Sequence, residues 1–189
     1  GACGEVITSI DLRAVLASSV GSPHSDLVTR STGAKVRSSI EASLSAQSTD
    51  SAVVLDFSSV RVLDCSCADE VVAKLLLHRP SGPGGPTSWF VIRGLTESHA
   101  EEIDYVLRRR RLALVAEEQD GRPRLLGEVD PSAAAAWQVV LARGSAAEQE
   151  IADALPLAID ETRRALDALV GAGIVRRAEG RYLTLTTAA

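Results

Sequence analysis

Apolar runs alternate with amphipathic stretches along the first 130 residues of the chain. Short β-branched runs predict strands, and apolar residues spaced three or four apart predict helices that lie on a sheet. Alternation of this kind predicts an α/β fold with a mostly parallel sheet covered by helices. The predicted strands are 5–10, 52–57, 60–63, 89–92, 112–116 and 124–129, with a short extended piece at 27–28 and helices beginning near residues 11, 33, 64 and 96.

The pattern changes after Asp130-Pro131. Apolar spacing predicts three short helices, over 133–142, over 148–155 and from Asp160 onward. Two strands joined at 178–180 follow them. Three helices and a hairpin are typical of a winged helix-turn-helix plan. The chain therefore divides into an α/β domain at 1–131 and a winged-helix domain at 132–189.

Two polar segments of the first domain carry their own predictions. The stretch from His78 to Ser88 holds three prolines and three glycines, which favours a mobile surface loop. Thr96 or Ser98 can cap a helix that extends to about Arg109, and Ser98 and Glu101 have the spacing of a capping box.

Composition limits the classes of function. The 189 residues carry a net charge of −5, so no overall basic field indicates nucleic acid. No apolar run is long enough to cross a membrane, and the N-terminus lacks the pattern of a signal peptide. Three cysteines do not form a disulfide framework and fit a reducing compartment. These features predict a cytoplasmic protein without membrane contact.

The most unusual polar cluster is Asp64-Cys65-Ser66-Cys67, followed by Asp69 and Glu70 at the start of a helix. Asp64 or Ser66 can cap this helix, whose dipole favours acidic residues in the first turn. Phosphate on Ser66 would be favoured by the helix N-terminus and repelled by the neighbouring carboxylates. Cys65 and Cys67 lack the partners of a metal site, and nearby acids disfavour a thiolate, so apolar packing is the favoured role.

Residues 52–77 resemble the STAS domain, the fold of bacterial anti-sigma-factor antagonists. The strand 53–60 matches the family's apolar strand, and residues 64–67 match its Asp-Ser-Ser-Gly tetrad. Cys65 and Cys67 depart from that tetrad, and the similarity extends over roughly residues 5–130. The resemblance implies a regulatory binding module whose partner is an anti-sigma-type kinase or another signalling protein. It also implies that Ser66 is the phosphoacceptor.

Residues 132–187 resemble winged-helix regulators. Residues 150–155 are similar to the second helix of that family, and 164–169 followed by 173–175 are similar to the end of its recognition helix. The segment 132–189 has six arginines and seven acidic residues, and Asp160 and Glu161 begin the recognition helix. DNA binding and protein docking both remain open. The candidate DNA-contacting residues are Arg163, Arg164, Arg176, Arg177 and Arg181.

Two further groups of residues can bind anions. The helix that follows Thr29 opens with hydroxyls, a glycine and two cations, a combination suited to phosphate although it is not a P-loop. The favoured alternative is a plain capped helix without a ligand. A tetra-arginine at 108–111 favours a solvated helix end because acidic residues flank it. The anion-binding candidates are Arg30, Thr32, Gly33 and Lys35.

The sequence thus predicts a bacterial regulatory protein in which a partner, or phosphorylation of Ser66, controls a winged-helix output in transcription. The alternative is an interaction adaptor whose winged helix docks or dimerises without touching DNA. No nucleophile-base pair, metal site or cofactor motif is recognised, so an enzyme is not expected. The sequence leaves homodimerisation open.

Overall fold

The computed structural model describes residues 6–21, 23, 25–46 and 51–185. The third helix is continuous but passes through a π-helical turn, so it has three consecutive segments. Up to residue 130 the elements are β1 (Val6–Asp11), α1 (Leu12–Val20), β2 (Asp26–Leu27), α2 (Arg30–Ser45), β3 (Ser51–Asp56), β4 (Val62–Leu63), α3 (Cys65–Ala68, π turn Asp69–Ala73, Lys74–His78), β5 (Ser81–Gly82), β6 (Gly85–Pro86), β7 (Ser88–Arg93), α4 (Glu97–Arg109), β8 (Ala113–Glu117) and β9 (Pro123–Gly127).

The central sheet has the strand order β1-β3-β7-β8-β9. All neighbouring strands are parallel except β9, which returns antiparallel to β8 at the edge. Each parallel connection adds the next strand beside the previous one, always on the same side. Right-handed connections of this kind place the helices α1 to α4 on one face of the sheet. The core confirms this arrangement, since Leu55, Phe90 and Leu114 of the sheet pack in one cluster with residues of α1 to α4.

The C-terminal segment, residues 131–185, forms three helices and a small antiparallel sheet. Its strands are ordered β10-β12-β11, so the strand nearest the N-terminus pairs with the last one. Across the described part of the chain, no helix combines the length and the apolar character that crossing a bilayer requires. The elements are α5 (Pro131–Arg143), β10 (Ser145–Ala147), α6 (Glu148–Ala154), α7 (Ile159–Gly171), β11 (Val175–Ala178) and β12 (Arg181–Thr184).

The C-terminal segment covers the second face of the central sheet. Side chains of β7 and β8 alternate between the two faces, and those opposite the helices join the core of residues 131–185. The guanidinium carbon of Arg176 lies 5.5 Å from the centre of the Trp89 ring. The two parts of the chain therefore share one apolar layer, to which the sheet contributes Trp89, Val91, Ala113 and Val115.

A second contact joins the end of α3 to the end of α7. Arg79 donates a hydrogen bond from Nη2 to the carbonyl oxygen of Ala172, at 2.8 Å. Gly85, in the hairpin of β5 and β6, lies against Val170. Arg79 thus satisfies a carbonyl beyond the last turn of α7, where helices leave such groups without intrahelical partners.

The predicted mixed α/β fold with a mostly parallel sheet is confirmed. Three local predictions differ from the structure. The apolar residues at 62–63 pair with β2 in a separate two-stranded ladder, and because this partner lies 36 positions earlier in the chain, no local pattern indicates it. The stretch 78–88 contains the β5–β6 hairpin that packs on α7. Thr96, one of the two predicted caps, begins α4, but its capping box is with His99, and the predicted box of Ser98 and Glu101 is not formed.

The contact between α2 and α3 depends on a glycine. A Cβ atom on Gly33 would lie 2.9 Å from Cβ of Glu70 and 3.1 Å from Cα of Cys67. These distances are shorter than normal contacts, and one of them is to backbone. The helices can approach this closely only because position 33 has no side chain.

We expect Gly33→Ala to lower the free energy of unfolding by about 1–3 kcal/mol, the usual cost of overpacking. Gly171→Ala is the matched control, because Gly171 also lies in a helix and nothing stands within 4 Å of its added Cβ. Helix propensity predicts that this control is neutral or stabilising by up to about 1 kcal/mol. Urea unfolding of both variants measures the difference, and equal effects would show that the α2–α3 contact is not tight.

Candidate functional site

Asp64 joins the start of α3 to the loop before α2. Its Oδ1 accepts hydrogen bonds from the backbone N–H of Cys67 at 2.7 Å and from the hydroxyl of Ser66 at 2.8 Å. Its Oδ2 accepts the backbone N–H of Thr29 at 3.0 Å. Burial raises the pKa of Asp64, but these hydrogen bonds outweigh it and the pKa is lowered. Asp64 is thus both the predicted N-cap and a bridge between two elements.

Thr29 is held in a strained backbone conformation beside this carboxylate. Its φ is +71°, a region that a β-branched residue rarely occupies and that costs about 1–3 kcal/mol. Asp64 accepts its N–H, and its carbonyl oxygen accepts hydrogen bonds from the thiol of Cys67 and from the N–H of Gly33. A change at Asp64 would therefore act directly on a residue that stores strain.

The two cysteines lie on different sides of the helix start. Cys67 is buried, and desolvation together with the charge of Asp64 raises its pKa to about 12. Cys65 is half-buried, and burial with the charges of Glu102 and Asp69 raises its pKa as well. Both thiols are free and protonated at neutral pH, the state in which cysteine packs as a small apolar residue.

A buried carboxylate, Glu70, lies in the π turn of α3. It is 2% exposed and pairs with three cations: Arg30 at 2.8 Å, Arg37 at 3.2 Å, and Lys74. Burial raises the pKa of Glu70, but the hydrogen bonds from Lys74, Arg30 and Arg37 lower it by more than burial raises it. The net shift of the pKa is therefore downward. π turns inside helices are frequent at functional sites.

Asp69, the residue before it, extends the ionic cluster towards α4. Its Oδ1 accepts from Nε of Arg110 at 2.5 Å, and its Oδ2 accepts from Arg30 at 3.0 Å. The hydrogen bond to Arg110 is the main cause that lowers the pKa of Asp69 to about 2. Beside it lies an open depression of about 370 Å³, lined by Arg30, Cys65, Asp69, Val106, Arg109 and Arg110.

The predicted anion-binding residues occupy different environments. Arg30 belongs to the ionic cluster, and Gly33 lies against α3. The backbone N–H of Thr32 donates to Oγ1 of Thr29, while Lys35 is exposed. The structure therefore brings Arg30 next to the Ser66 motif and leaves Lys35 at the surface.

The arginines predicted for DNA contact have mostly intramolecular partners. Arg163 binds Glu148 at 2.7 Å, and Arg181 binds Glu150 at 3.0 Å. Arg177 lies over the ring of Tyr182, as Arg176 does over Trp89. Arg164 is exposed on α7.

Sequence reasoning named Glu70 and Arg110 only as parts of a helix start and of the tetra-arginine, and it missed Arg37 and Arg79. Glu70, Arg37 and Arg110 form the ionic cluster together with Arg30 and Asp69, and Arg79 bonds to the end of α7. Only the i,i+4 spacing of Glu70 and Lys74 is visible in the sequence. The other pairs join residues between 33 and 93 positions apart, so no local pattern could identify them.

Comparison of the chain with protein-family models, with curated proteins and with solved structures finds no match. Within the ranges that the structure describes, no three His, Cys, Asp or Glu side chains are grouped so that they could hold a metal ion. The candidate site consists of the hydroxyl of Ser66 bonded to Asp64, the strained residue Thr29 and the ionic cluster around Glu70.

We expect the pair of Asp69 and Arg110 to make stability depend on pH. Since the folded-state pKa of Asp69 is about 2 and an unfolded aspartate titrates near 3.9, its contribution is complete above about pH 5. That contribution is lost as the pH falls through the folded-state pKa. Asp69→Asn should therefore flatten the loss of unfolding free energy between about pH 5 and pH 2, measured by urea unfolding.

Asp120→Asn is the matched control. Asp120 accepts from Nε of Arg122 at 2.5 Å, the same distance as in the pair of Asp69 and Arg110, but on an exposed turn where water screens the interaction. The Asp120→Asn variant should change the loss of unfolding free energy between about pH 5 and pH 2 much less than Asp69→Asn does. If the wild type and Asp69→Asn lose the same unfolding free energy between about pH 5 and pH 2, the role given to the ionic cluster is contradicted.

Proposed function

We propose that the protein is a bacterial cytoplasmic regulator. In this proposal a STAS-like α/β domain binds a signalling partner at the surface around Ser66 and controls a winged-helix output in transcription. One observation carries it: α3 begins at the hydroxyl-carboxylate pair of Ser66 and Asp64, and the residue that follows α3, Arg79, bonds to the end of α7. A single helix thus connects the candidate signalling motif with the candidate output.

The contacts of Ser66 support its role as the phosphoacceptor. Its hydroxyl is partly exposed at a helix N-terminus and bonds to Oδ1 of Asp64. A phosphate there would remove this hydrogen bond and place two negative groups side by side. Because Oδ2 of Asp64 holds Thr29, the repulsion would reach the strained loop before α2. Phosphorylation would thereby reshape the surface that a partner contacts.

Two exposed apolar side chains favour a protein as that partner. Val28 and Val62 are 36% and 38% exposed, and they precede Thr29 and Asp64 by one and two residues. Apolar groups beside a charged motif are typical of recognition surfaces. We propose an anti-sigma-type kinase or a related signalling protein as the partner.

The topology of residues 131–185 supports the winged-helix interpretation. The segment has the three helices and the hairpin of the proposed plan, with the strand β10 in addition between the first two helices, and we assign α7 as the recognition helix. Arg163 and Arg164 lie in its first half, and Arg177 and Arg181 lie on the hairpin. In the DNA-binding reading these side chains contact phosphates.

The ion pairs of this segment favour the alternative, an adaptor that does not bind DNA. Glu148 and Glu150 already neutralise Arg163 and Arg181, so a phosphate would have to displace a carboxylate from each. In this version the segment docks a protein or pairs with a second copy of the chain. In both versions the protein is proposed to have no catalytic role and no cofactor.

We expect an anti-sigma-type kinase of the source genome to add one phosphoryl group to the protein in the presence of ATP. The intact mass measures the modification, and Ser66→Ala should abolish it. Ser58→Ala is the matched control, because the exposed Ser58 also donates from its hydroxyl to an aspartate, Asp56, at 2.5 Å. Modification that persists in Ser66→Ala, or that is lost in Ser58→Ala, would contradict the assignment.

We expect the DNA-binding version to show salt-dependent binding to genomic fragments in gel shifts. Arg164→Ala and Arg177→Ala should each weaken binding and reduce the slope of log K against log salt by about 1 if each side chain contacts one phosphate. Arg13→Ala, an exposed change on α1, is the control and should have no effect. No binding even at low salt would favour the adaptor over the transcription factor.

A further inference from the structure

A cavity of about 560 Å³ opens at the end of the sheet where β7 begins. This volume is within the range of small-molecule sites, which are apolar with a few polar groups. Its apolar surface comes from Leu44, Leu75 and Phe90, and its polar rim from Arg79 and Thr87. The remaining lining residues are Glu41, Ala42, Ser45, His78, Pro80 and Ser88.

Arg79 is the unusual member of this lining. Its guanidinium donates a hydrogen bond to a neutral carbonyl, that of Ala172, and it forms no ion pair with a carboxylate of the described residues. Burial lowers the pKa of Arg79 to about 10. A partly buried guanidinium without a counter-charge is costly, and an anion beside it would remove part of that cost.

The other charges of the cavity already have partners. Glu41 accepts from Arg37 at 3.2 Å and lies 3.1 Å from Nδ1 of His78. Its negative charge is therefore offset within the rim. The charge that remains available to a ligand is the positive charge of Arg79.

We propose that this cavity binds a small amphipathic carboxylate, with its apolar body against Leu44, Leu75 and Phe90 and its carboxylate on Arg79. The proposal goes beyond the signalling role above, because it uses neither Ser66 nor the arginines of α7 and the hairpin. The ligand class follows from the shape and the charge of the cavity: apolar surface at one side and, at the other, a cation for which the described residues supply no carboxylate partner.

The position of Arg79 makes this cavity an effector site. The same guanidinium that would bind the carboxylate donates to Ala172, just beyond α7. A bound anion would restrict the guanidinium and so stabilise its contact with α7. The ligand would therefore reach residues 131–185 without passing through the Ser66 motif.

The test uses the full chain and defined probes, namely hexanoate, octanoate, octanamide and octylamine. Calorimetric titration should show that octanoate binds at least about tenfold more tightly than octanamide, because only the carboxylate forms a charged hydrogen bond with Arg79. Octylamine should bind most weakly. At about ten times its dissociation constant, octanoate should also raise the Tm by about 3 °C.

Three variants locate the site. Arg79→Gln should remove the preference for octanoate over octanamide. Ala42→Phe should abolish binding by filling the cavity from an exposed position of α2, where folding is not at risk. Ser43→Phe is its matched control, since Ser43 is also exposed on α2 but does not line the cavity, and it should bind octanoate like the wild type.

Each contrary result overturns the proposal. Equal affinity for octanoate and octanamide would remove Arg79 from the site. Unchanged binding in Ala42→Phe would place the ligand elsewhere. No saturable binding of any probe below a dissociation constant of about 10 mM would show that the cavity does not take such ligands.

Discussion

The one-way order of the strands is the constraint on which the rest of the structure depends. Right-handed crossovers that always advance in the same direction place α1 to α4 on a single face of the sheet. The opposite face, with Trp89 and Val115, would then expose an apolar surface to water. Residues 131–185 cover it. The two parts of the chain are thus joined by burial of a shared apolar layer. A change in the packing of one part would therefore alter the packing of the other.

The crossing of α2 and α3 combines close packing with buried charge. Gly33 lets the helices approach, and the π turn places Glu70 between them, where it gathers three cations. Such a cluster is costly to desolvate and is destabilised strongly if one partner is removed. The cluster therefore contributes more by fixing the geometry of α2 and α3 than by adding net stability. Arg30 follows the strained Thr29 in the chain and Asp69 follows the first segment of α3, so their ion pair holds these two segments together.

Helix α3 has a different chemical role at each end. At its start, the carboxylate of Asp64 divides its hydrogen bonds between Ser66, Cys67 and the loop of Thr29. After its end, Arg79 reaches the last turn of α7 and lines the apolar cavity. The proposed phosphorylation and the proposed ligand would act on these two ends separately. Both would act through the contacts of one continuous helix with α2 and α7.

Local sequence determined the type of the longer helices and strands, because apolar periodicity and caps such as Asp64 act within a few residues. It also determined the alternation that produces a mostly parallel sheet. It could not place Val62 and Leu63, whose pairing with β2 depends on a partner 36 positions away. It could not find the cluster around Glu70, the contact of Arg79 with Ala172, or the packing of Trp89 against residues 131–185. These features join residues distant in the chain, and only the folded arrangement of helices and sheet brings them within bonding distance.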